Sequence, residues 1–334
     1  MIMISFGTRP EYIKIKPLIE KFEGIIPFKL LFTGQHEDLL KGIIGQDIVR
    51  LKINDGANRL DSIVASVMNQ EHIFEGVDAV IVQGDTTSAF SIALAAFHRK
   101  IKVIHLEAGL RTYDKDNPYP EEFNRQAISR IADIHLCPTN DSAFHLRNEM
   151  CEGLVAVVGN TVLDNLVDLE VSENNTVIVT MHRRENHYIM DQWFIAIDRL
   201  AKQYEGIYEF ILPIHPNPNV QKHRHLLKHV TVIDPVPYDE FIKMLASCSY
   251  VITDSGGLQE ETAFLRKRSI VCRKTTERPE GLGDFSVLCD NPFVLGDEFI
   301  SMIMLDEPTA KCPYGDGHAA EKIVDILLEE NNVC

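Results

Sequence analysis

Three acidic residues, each placed just beyond an apolar run, are the first candidates for chemistry. Asp85 lies in Gly84-Asp85-Thr86-Thr87 and Glu107 in Glu107-Ala108-Gly109-Leu110-Arg111. Glu121 lies in Tyr119-Pro120-Glu121-Glu122, a segment that continues to Asn124 and Arg125. Carboxylates gathered at one place can take a proton from carbon and return it. Each also has a plainer role. Gly-Asp-Thr-Thr suits a helix cap at Asp85, and a glutamate in a first helical turn offsets the helix dipole at Glu121. Three of them at one edge point to proton transfer.

A second set suits an anion. Asp254-Ser255-Gly256-Gly257 opens a helical stretch, and a Ser-Gly-Gly turn offers free N–H groups and a positive dipole end to a diphosphate. Glu261 lies about one and a half turns further in, where a carboxylate can reach ribose hydroxyls. Met181-His182-Arg183-Arg184-Glu185 and Ile214-His215-Pro216-Asn217 each follow an apolar run, and Arg278 stands in Lys274-Thr275-Thr276-Glu277-Arg278. His182, with Arg183 adjacent, reads as a ligand contact; His215 fits a ligand contact or a buried core equally. Near the start, Gly7-Thr8-Arg9-Pro10-Glu11 is followed by Lys14, so Arg9 and Lys14 supply charge for an anionic group beside a tight turn. A plain strand-turn-helix junction would use the same Gly and Pro.

These residues need elements to hold them. Short β-branched runs at 2–6, 28–32, 79–83, 102–105, 134–137 and 155–158 alternate with helical periodicity over 13–22, 60–74, 88–98, 121–131 and 142–149. Continuous apolar strands separated by helices predict a parallel, doubly wound sheet. A polar link at 170–175 interrupts the pattern, which restarts with strands at 177–180, 210–213, 230–233, 250–253 and 269–272. The expectation is an α/β chain of two Rossmann-like domains, residues 1–169 and 170–316, with a terminal helix in 317–334. In such sheets ligands bind beyond the carboxyl ends of the strands, which is where every candidate above falls.

Composition narrows the function classes. The 334 residues are 45% hydrophobic and 25% charged, with a formal net charge of −16. Without a Lys/Arg stripe, nucleic acid and anionic membranes are poor partners. Seven cysteines, scattered and never spaced Cys-x-x-Cys, argue against a zinc ribbon or disulfide framework and for a reducing compartment. The apolar run at the N-terminus is too short for a signal peptide or a spanning helix, so the cytoplasm is expected.

The ordered set of motifs is more telling than any one of them. FGTRPEYIK begins at Phe6, followed by TGQH at 33–36, GDTT at 84–87, HLEAGLRT at 105–112 and PEEFNR at 120–125. GNTVLD at 159–164, HRREN at 182–186, HPNPNV at 215–220, DSGGLQEE at 254–261, TTERPE at 275–280 and PYGDG at 313–317 continue the set. The chain resembles, end to end, the non-hydrolysing UDP-N-acetylglucosamine 2-epimerases.

The resemblance implies a glycosyltransferase-B-like fold with a cleft between the domains, a homodimer, and a terminal helix returning to the first domain. It implies no metal and no cofactor. The substrate would be a UDP-N-acetylhexosamine, inverted at C2 through loss and re-addition of UDP. By position, Asp85, Glu107 and Glu121 resemble the acid/base group, and Arg9, His182, Ser255 and the Gly256–Gly257 amides the diphosphate contacts. Glu261 resembles the ribose ligand, Phe241 part of the uracil pocket, and Lys14, Arg125, His215 and Arg278 further substrate contacts. Three features depart from the family pattern. The link between domains is short, His187-Tyr188-Ile189-Met190 replaces a glycine turn after HRREN, and Glu37-Asp38 stands where members hold a second, activating nucleotide. The acidic pair predicts a reaction independent of that activator. Epimerases of 6-deoxy or uronate sugars, a hydrolysing epimerase, a glycosyltransferase of the same fold and a sugar-nucleotide-binding regulator are the rival readings; fold alone does not separate them.

Overall fold

The computed structural model describes residues 1–34, 48–53 and 58–330. The Gln35-His36-Glu37-Asp38 segment lies outside them. Packing divides the chain into two units, Met1–Asn165 with the segment from Gly315, and Leu166–Tyr314. The polar link at 170–175 is part of the second unit: Ser172 N donates to Ala246 O at 3.2 Å and Asn174 N to Ser247 O at 2.8 Å.

The first unit runs β1 (Ile2–Phe6), α1 (Arg9–Phe22), β2 (Phe28–Phe32), β3 (Ile48–Arg50), α2 (Arg59–Met68), β4 (Ala79–Gln83), α3 (Thr87–His98), β5 (Lys102–Leu106), α4 (Glu121–Ser129), β6 (Ile134–Cys137), α5 (Asn140–Asn148) and β7 (Leu154–Val157). The strands form one parallel sheet in the order β3-β2-β1-β4-β5-β6-β7. Alternate residues serve alternate faces. Ile2, Ile4, Ala79 and Ile81 join the core beneath α1, whereas Met3, Val80 and Val82 join the core beneath α2 and α3. Both faces being covered, β1 and β4 are buried throughout.

Two local readings change. The periodicity over 60–74 is not one helix: α2 ends at Met68, and a separate 3₁₀ turn spans Glu71–Phe74. Asn69 and Gln70 sit at the break, and Gln70 turns its amide to Lys52 O and Ser66 O. At the other end of the scale, α1 continues through Pro17. Proline cannot donate to the carbonyl four residues back; Asn165 Nδ2 takes that place, donating to Ile13 O at 3.1 Å.

The second unit runs β8 (Thr176–Thr180), α6 (Met190–Gln203), β9 (Glu209–Pro213), α7 (Pro218–Gln221), β10 (Thr231–Ile233), α8 (Tyr238–Ser247), β11 (Tyr250–Thr253), α9 (Gly256–Phe264), β12 (Arg268–Val271), β13 (Ser286–Leu288) and α10 (Leu295–Ile303). Its parallel sheet is ordered β10-β9-β8-β11-β12-β13. The core gathers Trp193, Phe194, Phe210 and Phe299 around β8 and β11. Both sheets thus reverse direction between their first and fourth strands, β1 beside β4 and β8 beside β11. In doubly wound folds that reversal is where ligands bind.

The last helix, α11 (Ala319–Glu329), belongs to the first unit. Its apolar face, Ala320, Ile323, Val324 and Leu327, enters the core that holds Ile15, Leu18 and Phe22 of α1. Asp164 caps it from afar, accepting Ala319 N at 3.0 Å and Ala320 N at 2.7 Å. Two orphan N–H groups are satisfied, and the carboxylate faces the positive end of the helix dipole. No helix among the described residues is long and apolar enough to cross a membrane.

Candidate functional site

Each unit gathers sequence-marked side chains at its own sheet reversal. In the first, Gly7-Thr8 joins β1 to α1 and Gly84-Asp85-Thr86 joins β4 to α3. Thr8 caps α1 and Thr86 caps α3, their hydroxyls accepting Glu11 N at 3.4 Å and Ala89 N at 3.1 Å. Asp85 is therefore not a cap. Its Oδ2 is ion-paired with Arg125 NH2, and its backbone carbonyl accepts Asn124 Nδ2 at 2.9 Å, so α4 is tied to the β4 turn by two side chains. Arg125, almost wholly buried, also reaches Glu122 at 3.2 Å. Glu122 in turn accepts Thr112 N and Tyr113 N, each at 3.0 Å, and fixes the loop before α4. Glu121 is part-buried in the first turn of that helix.

Glu107 follows β5 with a φ of 64°, a left-handed conformation unusual for a residue with a side chain. Its carboxylate is buried and held from three elements. Lys14 Nζ of α1 lies 2.5 Å from Oε2, Gln83 Nε2 at the end of β4 donates to the same oxygen, and Asn160 Nδ2 donates to Oε1 at 3.2 Å. A Cβ on Gly84 would lie 3.7 Å from Glu107 Oε2, so the Glu107 carboxylate borders the Asp85 turn. Beside it His105 is fully buried; Nε2 faces Gly84 O at 2.8 Å and burial lowers its pKa to about 3, leaving it neutral. The glycine of the same motif has its own reason. Gly109 has a φ of +88°, and a Cβ there would meet Ser142 O at 2.2 Å.

Arg9 stands exposed at the first position of α1. Lys14 is turned inward to Glu107, so the two early cations part company. Glu11 is buried, and burial lifts its pKa against the hydrogen bonds of Thr8, Thr86 and Gly7, which lower it. Arg111, quoted in the same motif as Glu107, is a structural residue: it forms a two-bond pair with Glu149 at 2.7 and 2.9 Å.

The second unit's reversal is organised by Asp254, which has no exposed side-chain surface. Its carboxylate accepts His182 N at 3.0 Å, Arg183 N at 2.9 Å and Asn186 Nδ2 at 3.1 Å, fastening the turn after β8 to the end of β11. His182 Nδ1 lies 3.4 Å from the same group, and its ring, more than a third exposed, stacks on His215 with centroids 5.4 Å apart and planes 19° off parallel. His215 Nδ1 accepts Asn217 N at 3.1 Å, and its pKa is lowered by burial and by the neighbouring His182. His215 is thus brought beside His182 and out of the core.

Ser255 occupies the N-cap position of α9, yet its hydroxyl makes no capping bond. The amides of Gly256 and Gly257 begin that helix. A Cβ on Gly256 would come within 2.7 Å of Glu277 Oε1, so a larger residue there would displace the buried ion pairs beneath the turn. Those pairs hold Arg278, which is 5% exposed: Nε reaches Glu260 at 2.8 Å and NH1 reaches Glu277. Arg273 joins Glu277 at 3.0 Å and Glu185 at 3.1 Å. Arg278 is therefore bound into a buried network rather than presented at the surface. Glu261 accepts the Tyr238 hydroxyl at 2.7 Å, and the phenol's pKa is raised by burial and by that carboxylate. Phe241 lies one turn along α8 from Tyr238, on the same face, part-buried.

Asp254, Glu11, Asn160 and Tyr238 carry roles that the sequence reading does not assign them. Thr8-x-x-Glu11 has the spacing of a capping box, a signal that was there to read. Asn160 and Tyr238 carry no local signal. Among the described residues no cluster of three or more His, Cys, Asp or Glu could hold a metal ion.

A family model described as UDP-N-acetylglucosamine 2-epimerase matches residues 21–328. The UDP-N-acetylglucosamine 2-epimerase of Campylobacter jejuni is 36% identical over 388 residues, covering 99% of this chain and 98% of that protein. The crystal structure of UDP-GlcNAc 2-epimerase from Neisseria meningitidis bound to UDP-GlcNAc matches with a TM-score of 0.88 at 32% identity, covering 98% of this chain and 99% of that one. The Methanocaldococcus jannaschii UDP-GlcNAc 2-epimerase in complex with UDP-GlcNAc and UDP matches with a TM-score of 0.84 at 28% identity, covering 98% and 99%. Such neighbours share the glycosyltransferase-B-like fold of two parallel-sheet domains. With two doubly wound parallel sheets and this end-to-end likeness, the chain belongs to the UDP-N-acetylglucosamine 2-epimerase family, a family of isomerases.

Proposed function

We propose that the chain interconverts UDP-N-acetylglucosamine and UDP-N-acetylmannosamine without hydrolysing them. The observation that carries this reading is that Asp85 follows β4, Glu107 follows β5 and Glu121 opens α4, with Glu107 in a left-handed conformation and held from three elements. The C2 hydrogen of a hexosamine is not acidic, so a base alone cannot remove it at useful speed. One carboxylate takes the C2 proton while the C1–O bond to UDP breaks, and C1=C2 forms. UDP then adds back to C1, and a carboxylic acid returns a proton to C2 from the opposite face. Atoms and charge balance without an outside reductant or metal.

Departure of UDP carries much of the barrier. Arg9, His182, Ser255 and the Gly256–Gly257 amides are the donors for the diphosphate, each preorganised donor contributing about 3–4 kcal/mol to the developing charge. Glu261, oriented by Tyr238, serves the ribose, and Phe241 the uracil. His215 backs His182. Lys14, Arg125 and Arg278 act through the acids they hold. A cytoplasmic homodimer goes with this reading.

Proton NMR with UDP-N-acetylglucosamine in D₂O tests it. Deuterium enters C2 and UDP-N-acetylmannosamine appears, in the presence of a chelator. Free N-acetylmannosamine as the main product moves the assignment to a hydrolysing enzyme, and no exchange with any UDP-hexosamine removes it.

A further inference from the structure

One buried carboxylate joins the two turns that the first unit contributes, and the mechanism above gives it no part. Glu11 is 4% exposed. Its Oε2 accepts Gly7 N at 3.0 Å and the Thr8 hydroxyl at 2.7 Å. Its Oε1 accepts the Thr86 hydroxyl at 2.9 Å, across a separation of 75 residues. Both hydroxyls are simultaneously helix caps, accepting Glu11 N and Ala89 N. Each therefore donates in one direction and accepts in another, which fixes its rotor. Since β1 and β4 are parallel neighbours, α1 and α3 begin side by side, and Glu11 is the group that crosses between their first turns. Arg9 follows Thr8, and Asp85 precedes Thr86, so each stands one peptide from a clamped residue.

We propose that Glu11 is a positioning residue that sets the Arg9 turn against the Asp85 turn. It touches neither sugar nor phosphate. Its effect is to hold the cation that receives the leaving group and the carboxylate that moves the proton in one geometry, so that both act on the same bond change. Misplacement by about 1 Å costs roughly 10²-fold in such arrangements. The proposal rests on the epimerase reading.

Glu11→Gln keeps the size of the side chain and puts an NH₂ where two sets of donors require acceptors. Thr86→Val removes the far hydroxyl at constant shape, and Thr86→Ser keeps it. Turnover is measured per folded molecule, beside KM for UDP-N-acetylglucosamine. Glu11→Gln and Thr86→Val each lower kcat by about 10–100-fold with KM within about threefold. The double variant is no slower than either single one, because both remove the same bond. Thr86→Ser retains most of the turnover. If Glu11→Gln fails to fold, Thr86→Val and Thr86→Ser carry the comparison. Undiminished kcat in Glu11→Gln or Thr86→Val, or losses that multiply in the double variant, overturn the proposal while leaving an active wild-type enzyme and its function in place. A wild-type chain that exchanges no C2 proton removes both.

Discussion

Arg125, one turn into α4, is ion-paired with Asp85 in the turn after β4, while the cap of α3 is the very next residue, Thr86. The pairing separates two roles that the Gly-Asp-Thr-Thr motif leaves merged. Asp85 is free of capping duty, and its carboxylate is held by a buried cation.

Asp85→Asn accordingly lowers kcat by about 10²–10⁴-fold. UDP affinity changes little, and the melting curve moves little, because Thr86 still caps α3 and Arg125 keeps Glu122. Wild-type turnover in this variant, beside an unchanged melting curve, would rule out a proton-transfer role for Asp85.

Asp254 and His182 separate structure from binding in the second unit. Asp254→Ala strands two backbone N–H groups and one N–H of the Asn186 amide, whose other bond to Cys272 O remains; each unsatisfied buried donor costs about 1–3 kcal/mol, so denaturant unfolding shifts by several kcal/mol. His182→Ala, with a ring more than a third exposed, leaves stability near wild type and weakens UDP binding measured by calorimetry. Arg9→Ala weakens it too. Wild-type UDP affinity in both His182→Ala and Arg9→Ala contradicts their placement on the diphosphate.

Stability falls on mild acidification for a reason visible in the core. His105 and His135 lie opposite one another on β5 and β6, and burial lowers both pKa values, that of His105 to about 3. The unfolded chain binds protons near pH 6.5, where the folded chain does not, so stability is full above that pH and is lost as pH falls toward 3. Between pH 7 and 5.5 the loss is about 1 kcal/mol for His105 alone. Urea midpoints at the two pH values measure it, and His105→Gln flattens the slope. An equal slope in wild type and variant rejects this origin.

Glu37 and Asp38 lie outside the described residues, and their charge carries a prediction regardless. A diphosphate bound beside two carboxylates meets repulsion that competes with the modest coupling of an allosteric site. The reverse reaction from UDP-N-acetylmannosamine then starts without a lag and without added UDP-N-acetylglucosamine. A progress curve that stays flat until a trace of UDP-N-acetylglucosamine is supplied shows that the second site is intact.

The sequence by itself determined the two doubly wound sheets, because buried strands such as β1 and β4 are apolar on both faces and are separated by helical periodicity. It also marked the acids and glycines that end those strands. It missed β3 and β13, three residues each at or near a sheet edge, where burial is partial and the apolar signal correspondingly weak. Tertiary structure alone decided how the marked residues are used. Arg278 and Lys14 read as substrate-binding cations; Arg278 is paired with Glu260 and Glu277, and Lys14 holds Glu107. Glu11, unmarked in the sequence, bridges two caps, and Asn165 repairs the bond that Pro17 removes. Apart from Arg278 and Glu277, which are neighbours in the chain, these pairings join residues that the order of the strands brings together. Local periodicity establishes which segments are strands, but the partner of a side chain at the end of a strand depends on which strand lies next to it.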